Sequence, residues 1–136
     1  MDAGLGTWAA LRDALGRGEA VALLGDRVQP GQTGTPIDLF GRTTELPVGP
    51  FKLAESTGAL VVPVFNWRLE DGSLAMRLDE PLEMEGGDLR RDPAGHPAVR
   101  RWAELVESMI AARPTQWLNV HPIWRTTPAA LDRSAA

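Results

Sequence analysis

An α/β domain, with a mixed sheet and flanking helices, is the fold class that this sequence of 136 residues predicts. Three observations carry the expectation. Apolar stripes at helical spacing occur near both ends of the chain, around Leu11 and around Trp102. Apolar runs of strand length lie between them, at residues 20–24 and 59–65. Gly- and Pro-rich turns separate the segments into the order α-β-β-α-β-β-α, one layered domain without an internal repeat.

Thr7 reads as an N-cap, and Trp8, Leu11 and Leu15 make a short stripe that Gly16 and Gly18 stop. Ala20-Val21-Ala22-Leu23-Leu24 follows, apolar on both faces, which predicts an interior strand. Residues 25–36 are a long loop containing Gly25, Pro30, Gly31, Gly34 and Pro36. Ile37-Asp38-Leu39-Phe40 predicts a short strand ended by Gly41. Pro50 suits the first position of a second helix, and Gly58 its C′ position. Residues 60–65 predict a strand whose Pro63 marks an edge, a bulge or an end. Asp71-Gly72 is a hairpin turn, and Leu74, Met76 and Leu78 then alternate with polar residues as a half-buried strand. Val99, Trp102, Ala103, Val106, Met109 and Ile110 line one face of the strongest helix, residues 97–112, which Pro114 ends. The domain is expected over residues 1–125, with a frayed tail at 126–136.

Composition excludes several classes. Hydrophobic residues at 43% and charged residues at 24% exclude a wholly disordered chain. The absence of cysteine excludes disulfides, thiolate metal sites and a cysteine nucleophile. A net charge of −4 argues against general nucleic-acid binding. No apolar run approaches the ~20 residues of a membrane span, and no basic, apolar leader opens the chain, so a cytoplasmic domain is expected. No His or acidic pair has metal-ligand spacing, no Ser sits in a G-x-S-x-G setting, and no cofactor is expected.

Three segments together resemble one family. They are Gly25-Asp26-Arg27 through Gly31 and Gly34 to Leu39-Phe40-Gly41-Arg42; Leu46-Pro47-Val48-Gly49-Pro50-Phe51-Lys52-Leu53-Ala54 with Thr57-Gly58-Ala59 and Val62-Pro63-Val64-Phe65; and Pro114-Thr115-Gln116-Trp117-Leu118 with His121 and Trp124-Arg125. This order is similar to the bacterial lipid A biosynthesis acyltransferases, the lauroyl/myristoyl branch of the lysophospholipid acyltransferase superfamily, and covers about residues 7–125. It matches the family's C-terminal half: a G-D-R/Q loop, an F-F-G-R step, an L-P-x-G-P-x-x-L-A segment, a T-G-A-P-x-x-P strand and a closing P-x-Q-W-x-x-x-H-x-x-W. The resemblance implies the C-terminal half of the lysophospholipid acyltransferase fold. It also implies acyl transfer from an acyl-carrier protein or acyl-CoA thioester to a lipid or sugar hydroxyl, and a peripheral location on the inner membrane. Members are about twice as long, and their general base lies in a His-x4-Asp/Glu motif. Here His96 is followed five residues later by Arg101, and His121 by Thr126, so neither forms that motif and no catalytic residue is assigned.

The candidate substrate-binding residues are Asp26, Arg27, Gly31, Gly34, Arg42, Gly49 and Pro50. Acyl transfer needs a base, donors for a developing oxyanion, and a surface that places both substrates. By resemblance, Asp26 and Arg27 line the cleft and meet anionic groups; the alternative is that Arg27 pairs with a nearby acid. Gly31 and Gly34 allow close backbone approach or simply shape a surface loop. Arg42 meets an acyl carrier or a phosphate, or is solvated. Gly49-Pro50 opens a helix whose first amides suit an anion, or merely packs Phe51 and Leu53. His121, between Trp117 and Trp124, and Trp8 and Trp102 read as packed residues. Three readings stay open: an incomplete acyltransferase whose base comes from a separate polypeptide or whose N-terminal half is missing through truncation or degeneration, a non-catalytic module for an acyl chain or lipid headgroup, and a partner subunit of a complete acyltransferase. A missing N-terminal half or a second copy of the chain is the expected protein partner.

Overall fold

The computed structural model describes residues 5–124, so the expected tail at 126–136 lies outside the described residues. The α/β class with flanking helices is what it shows, with the strands arranged as two antiparallel hairpins. Helix α1 spans Leu5–Gly16, β1 Gly34–Leu39, β2 Arg42–Pro47, α2 Gly49–Thr57, β3 Val64–Arg68, β4 Leu74–Leu78 and α3 Pro97–Ala112, and a 3-10 turn follows at Pro114–Gln116.

Helix α1 is already under way at Leu5, so Thr7 lies within it and is not its N-cap. Gly18, at φ 79°, takes the left-handed position that ends it. Helix α2 follows the sequence closely: Pro50 stands in its first turn, and Gly58, at φ 70°, returns its N–H to the Ala54 carbonyl at 2.8 Å. Helix α3 is capped by His96, whose Nδ1 accepts the Ala98 N–H at 3.2 Å. Its inner face buries Ala98, Val99, Ala103, Leu105 and Val106. Among the described residues no helix is long and apolar enough to cross a membrane.

The strands depart from expectation in three places. First, residues 20–24 form no strand: no ladder partner reaches them, and Leu23 and Leu24 stand exposed. An apolar run becomes a strand only when another backbone completes its hydrogen bonds. Second, β2 is an element that the sequence reading lacked. Phe40 and Gly41, at φ 52° and 71°, are the two consecutive positive-φ residues of a type I′ turn, so the chain folds back and pairs Ile37 with Thr44. Third, the alternation in β4 is present but faces the other way. Leu74, Met76 and Leu78 point outward, 74%, 66% and 63% exposed, while Ala75 and Arg77 face inward. Strand β3 starts only at Val64, and Pro63 sits at its boundary; beyond it the chains still meet through Leu82 N–H to Val61 O at 2.9 Å.

The core lies between α3 and the hairpins. Phe51, Leu82, Leu89, Ala98, Val99 and Leu105 form one cluster; Leu39, Leu46, Ala103 and Val106 form the other. Ile37, Phe65 and Trp102 pack against both. Trp102 stacks on Phe65 with ring centroids 5.3 Å apart. This stack fixes α3 over β3 and sets the height at which the loop after residue 24 must pass.

Candidate functional site

That loop begins at Gly25, and its seat is Trp102. The indole Nε1 donates to the Gly25 carbonyl at 2.8 Å. A Cβ at position 25 would stand 2.8 Å from Trp102 Cζ2, so only glycine lets the backbone lie on the ring. Asp26 and Arg27 follow directly. The Arg27 guanidinium donates through Nε at 3.1 Å and Nη2 at 2.5 Å to the same oxygen, Asp26 Oδ2. Trp117 Nε1 donates to that oxygen as well, at 3.1 Å, and Arg27 Nη1 reaches the Leu118 carbonyl at 3.3 Å. The pair is partly buried, with about a quarter of the Asp26 side chain exposed.

Burial pushes the Asp26 carboxyl upward, but the hydrogen bonds from Arg27 and Trp117, with the Arg27 charge, outweigh it and hold the carboxyl below its ordinary 3.8. The bond to Asp26 raises Arg27 above its ordinary value in turn. Arg27 is therefore engaged with an acid, and three of its donors are spoken for. The three side-chain bonds to Asp26 converge on Oδ2, and the Asp26 backbone N–H adds a further hydrogen bond to the carboxylate. What the cluster offers is a fixed carboxylate edge beside a held cation.

The other predicted residues are spread around the domain. Gly31 and Gly49 line one groove of about 430 Å³ between α1 and α2, with Trp8, Arg12, Gln32 and Lys52. Trp8 lies so close over Gly49 that a Cβ there would collide with the ring. Pro50 opens α2 beside this groove. Neither Asp26 nor Arg27 is among its lining residues. Gly34 begins β1, where a Cβ would meet Val28 Cγ2 at 2.7 Å; close packing accounts for that glycine. Arg42 stands at the far end of the β1–β2 hairpin with its guanidinium 5.0 Å from the centre of the Trp124 ring.

Among the described residues neither histidine is hydrogen-bonded to Asp26 or Arg27. His96 is 1% exposed and caps α3; His121 is exposed, and its backbone N–H bonds Asn119 Oδ1 at 3.3 Å. Sequence reasoning named Trp102 and Trp117 but assigned neither to the Asp26 loop. The contacts Gly25–Trp102 and Asp26–Trp117 join residues 77 and 91 positions apart, and only the P-x-Q-W motif hinted at the second.

Comparison with known proteins identifies the family. The family model described as bacterial lipid A biosynthesis acyltransferase matches residues 7–126. The phosphatidylinositol mannoside acyltransferase of Mycobacterium tuberculosis is 31% identical over 114 residues, 84% of this chain and 34% of the relative. The protein of that name from Mycolicibacterium smegmatis is 33% identical over 93 residues, 68% of this chain and 28% of the relative. The chain thus spans about a third of the length of the curated relatives it matches. With the match running through the Gly25-Asp26-Arg27 loop, the α2 start and the Pro114–Gln116 turn, the chain belongs to the bacterial lipid A biosynthesis acyltransferase family.

Proposed function

We propose that this chain is the substrate-holding part of an acyltransferase that moves an acyl group from a carrier thioester to a hydroxyl of a glycolipid. In such a transfer the hydroxyl oxygen attacks the thioester carbonyl carbon while a base takes the hydroxyl proton. The C–S bond then breaks and the carrier leaves as its thiol, reprotonated by the same group. One observation carries the division of labour: the family match runs over residues 7–126, yet neither histidine is followed by an acid five positions on. The base is then supplied by residues outside these 136, and Asp26, Arg27, Gly31, Gly49 and Pro50 hold substrate. The relatives' name points to a phosphatidylinositol mannoside as acceptor, with acyl-carrier protein or acyl-CoA as donor, met peripherally at a membrane surface.

The unpaired residues 20–24 and the outward Leu74, Met76 and Leu78 support a protein partner, either the base-bearing segment or a second copy. Covering several hundred Å² there would contribute on the order of 10 kcal/mol before entropy is counted. A non-catalytic lipid-headgroup module is the second reading, favoured by the engagement of His96 as a helix cap. Co-sedimentation with vesicles containing phosphatidylinositol mannoside tests the shared claim. The chain should bind, and Arg27→Ala should weaken binding about tenfold. Equal binding by the variant would remove Arg27 from the site.

A further inference from the structure

The closing motif Pro114-Thr115-Gln116-Trp117-Leu118 lies far from the Asp26 loop in sequence and has no part in the transfer chemistry described above. Its geometry is specific. The Gln116 amide faces the backbone of Arg68 at the end of β3: Oε1 accepts the Arg68 N–H at 2.8 Å and Nε2 donates to the Arg68 carbonyl at 2.9 Å. A side chain here pairs with the strand as a neighbouring backbone would. The next residue, Trp117, donates its indole N–H to Asp26 Oδ2, and the next, Leu118, receives Arg27 Nη1 on its carbonyl. At the head of the turn, the Arg113 guanidinium lies 4.1 Å from the centre of the Trp67 ring, a second tie to β3. Three consecutive residues therefore join the end of β3 to both members of the Asp26–Arg27 pair.

We propose that Gln116, Trp117 and the Leu118 carbonyl form a positioning strap that holds the Asp26 carboxylate in one orientation, with one oxygen engaged by Arg27 and Trp117 and the other turned away from them. An arginine beside a carboxylate commonly engages both oxygens through its fork. Here both guanidinium bonds fall on Oδ2, and the Trp117 indole adds a third donor to that atom. With the Trp117 donor in place, a partial turn of the carboxylate about its last torsion would weaken all three bonds, and only a half turn, which exchanges two equivalent oxygens, restores them. Without it, the carboxylate is free to re-pair with Arg27 alone. Gln116 acts one step back, by fixing the turn from which Trp117 projects. Neither residue is catalytic. The inference rests on the reading of Asp26 and Arg27 as substrate-holding groups, but its test needs no substrate.

The test is carboxyl ¹³C NMR titration of Asp26 in the intact chain, with the resonance assigned through Asp26→Asn. Trp117→Phe keeps an aromatic ring and removes the donor; it should raise the Asp26 pKa by about one unit, a tenfold change in its acid constant. Gln116→Met removes both contacts to Arg68 without touching Asp26, and should move the titration in the same direction by a smaller amount. If Trp117→Phe does not fold, Gln116→Met, at an exposed position, carries the test alone. A shift in Trp117→Phe without one in Gln116→Met would leave a single hydrogen bond and overturn the strap. An unmoved titration in the folded variants would overturn the proposal entirely. Loss of vesicle binding on Arg27→Ala is measured separately, so failure of the lipid reading and failure of the strap are distinguishable.

Discussion

Replacing Gly25 by alanine probes the seat of the Asp26 loop in isolation. The new Cβ would stand 2.8 Å from Trp102 Cζ2, 3.0 Å from Cε2 and 3.1 Å from Nε1, well inside contact distance. The indole has little room to retreat, because Phe65 stacks on it at 5.3 Å. Overpacking of this kind costs about 1–3 kcal/mol. Displacement of the ring also breaks the 2.8 Å bond from Nε1 to the Gly25 carbonyl, a further loss of about 0.5–1.5 kcal/mol. Gly25→Ala should therefore destabilise the chain by about 2–3 kcal/mol, a large share of a typical domain's 5–15 kcal/mol. Trp102→Leu removes the ring that the Cβ would strike, together with the donor, so the alanine should cost little in that background. The double-mutant cycle should show coupling of about 2–3 kcal/mol, nearly the whole cost of the alanine. Urea unfolding followed by circular dichroism measures it, provided the slope stays constant across the four proteins. Strictly additive costs would refute the argument that Trp102 seats the loop.

Three further outcomes follow from other parts of the molecule. Asp26 titrates below its ordinary 3.8 when folded, so its cluster stabilises the chain above that pH, and this contribution is lost as pH falls through the folded value. The stability gap between wild type and Asp26→Asn should accordingly close as pH falls from the ordinary 3.8 through the lower folded value; urea midpoints at several pH values would show a constant gap if the cluster is idle. His96→Ala removes the cap on α3, orphans the Ala98 N–H and empties a buried site, at a cost of about 2–3 kcal/mol, and His96→Asn should restore the capping part in thermal unfolding. Phe40 is exposed at φ 52° in a turn that favours Asn-Gly, so Phe40→Asn should raise stability by about 0.5–1 kcal/mol, and a fall would contradict the turn assignment.

The parts legible in the sequence are those where local pattern and tertiary packing agree. Helix α3 carries its stripe and a stop at Pro114, and α2 carries Pro50 and Gly58 at its ends. Strand β2 was missed because Thr43, Thr44 and Glu45 hold no apolar run, and Gly41 read as an end instead of half of a turn. In β4 the period of two is visible, but periodicity does not say which face meets the core; Leu74, Met76 and Leu78 face out while Arg77 stacks against Phe65. Residues 20–24 have strand composition but lack the partner that makes a strand. Asp26 and Arg27 are candidates through the loop that carries them. Their holders, Trp102 and Trp117, lie 77 and 91 residues from the groups they bond, beyond the reach of any local pattern.

We propose that Asp26 and Arg27 hold substrate for an acyl transfer whose base lies elsewhere. The decisive measurement is transfer from acyl-CoA to phosphatidylinositol mannoside in vesicles, with the chain alone and with a polypeptide carrying the family's His-x4-acid segment. Background turnover is expected from the chain alone and restored turnover in the mixture, lost again with Arg27→Ala. Turnover by the chain alone that His96→Ala or His121→Ala abolishes would contradict it.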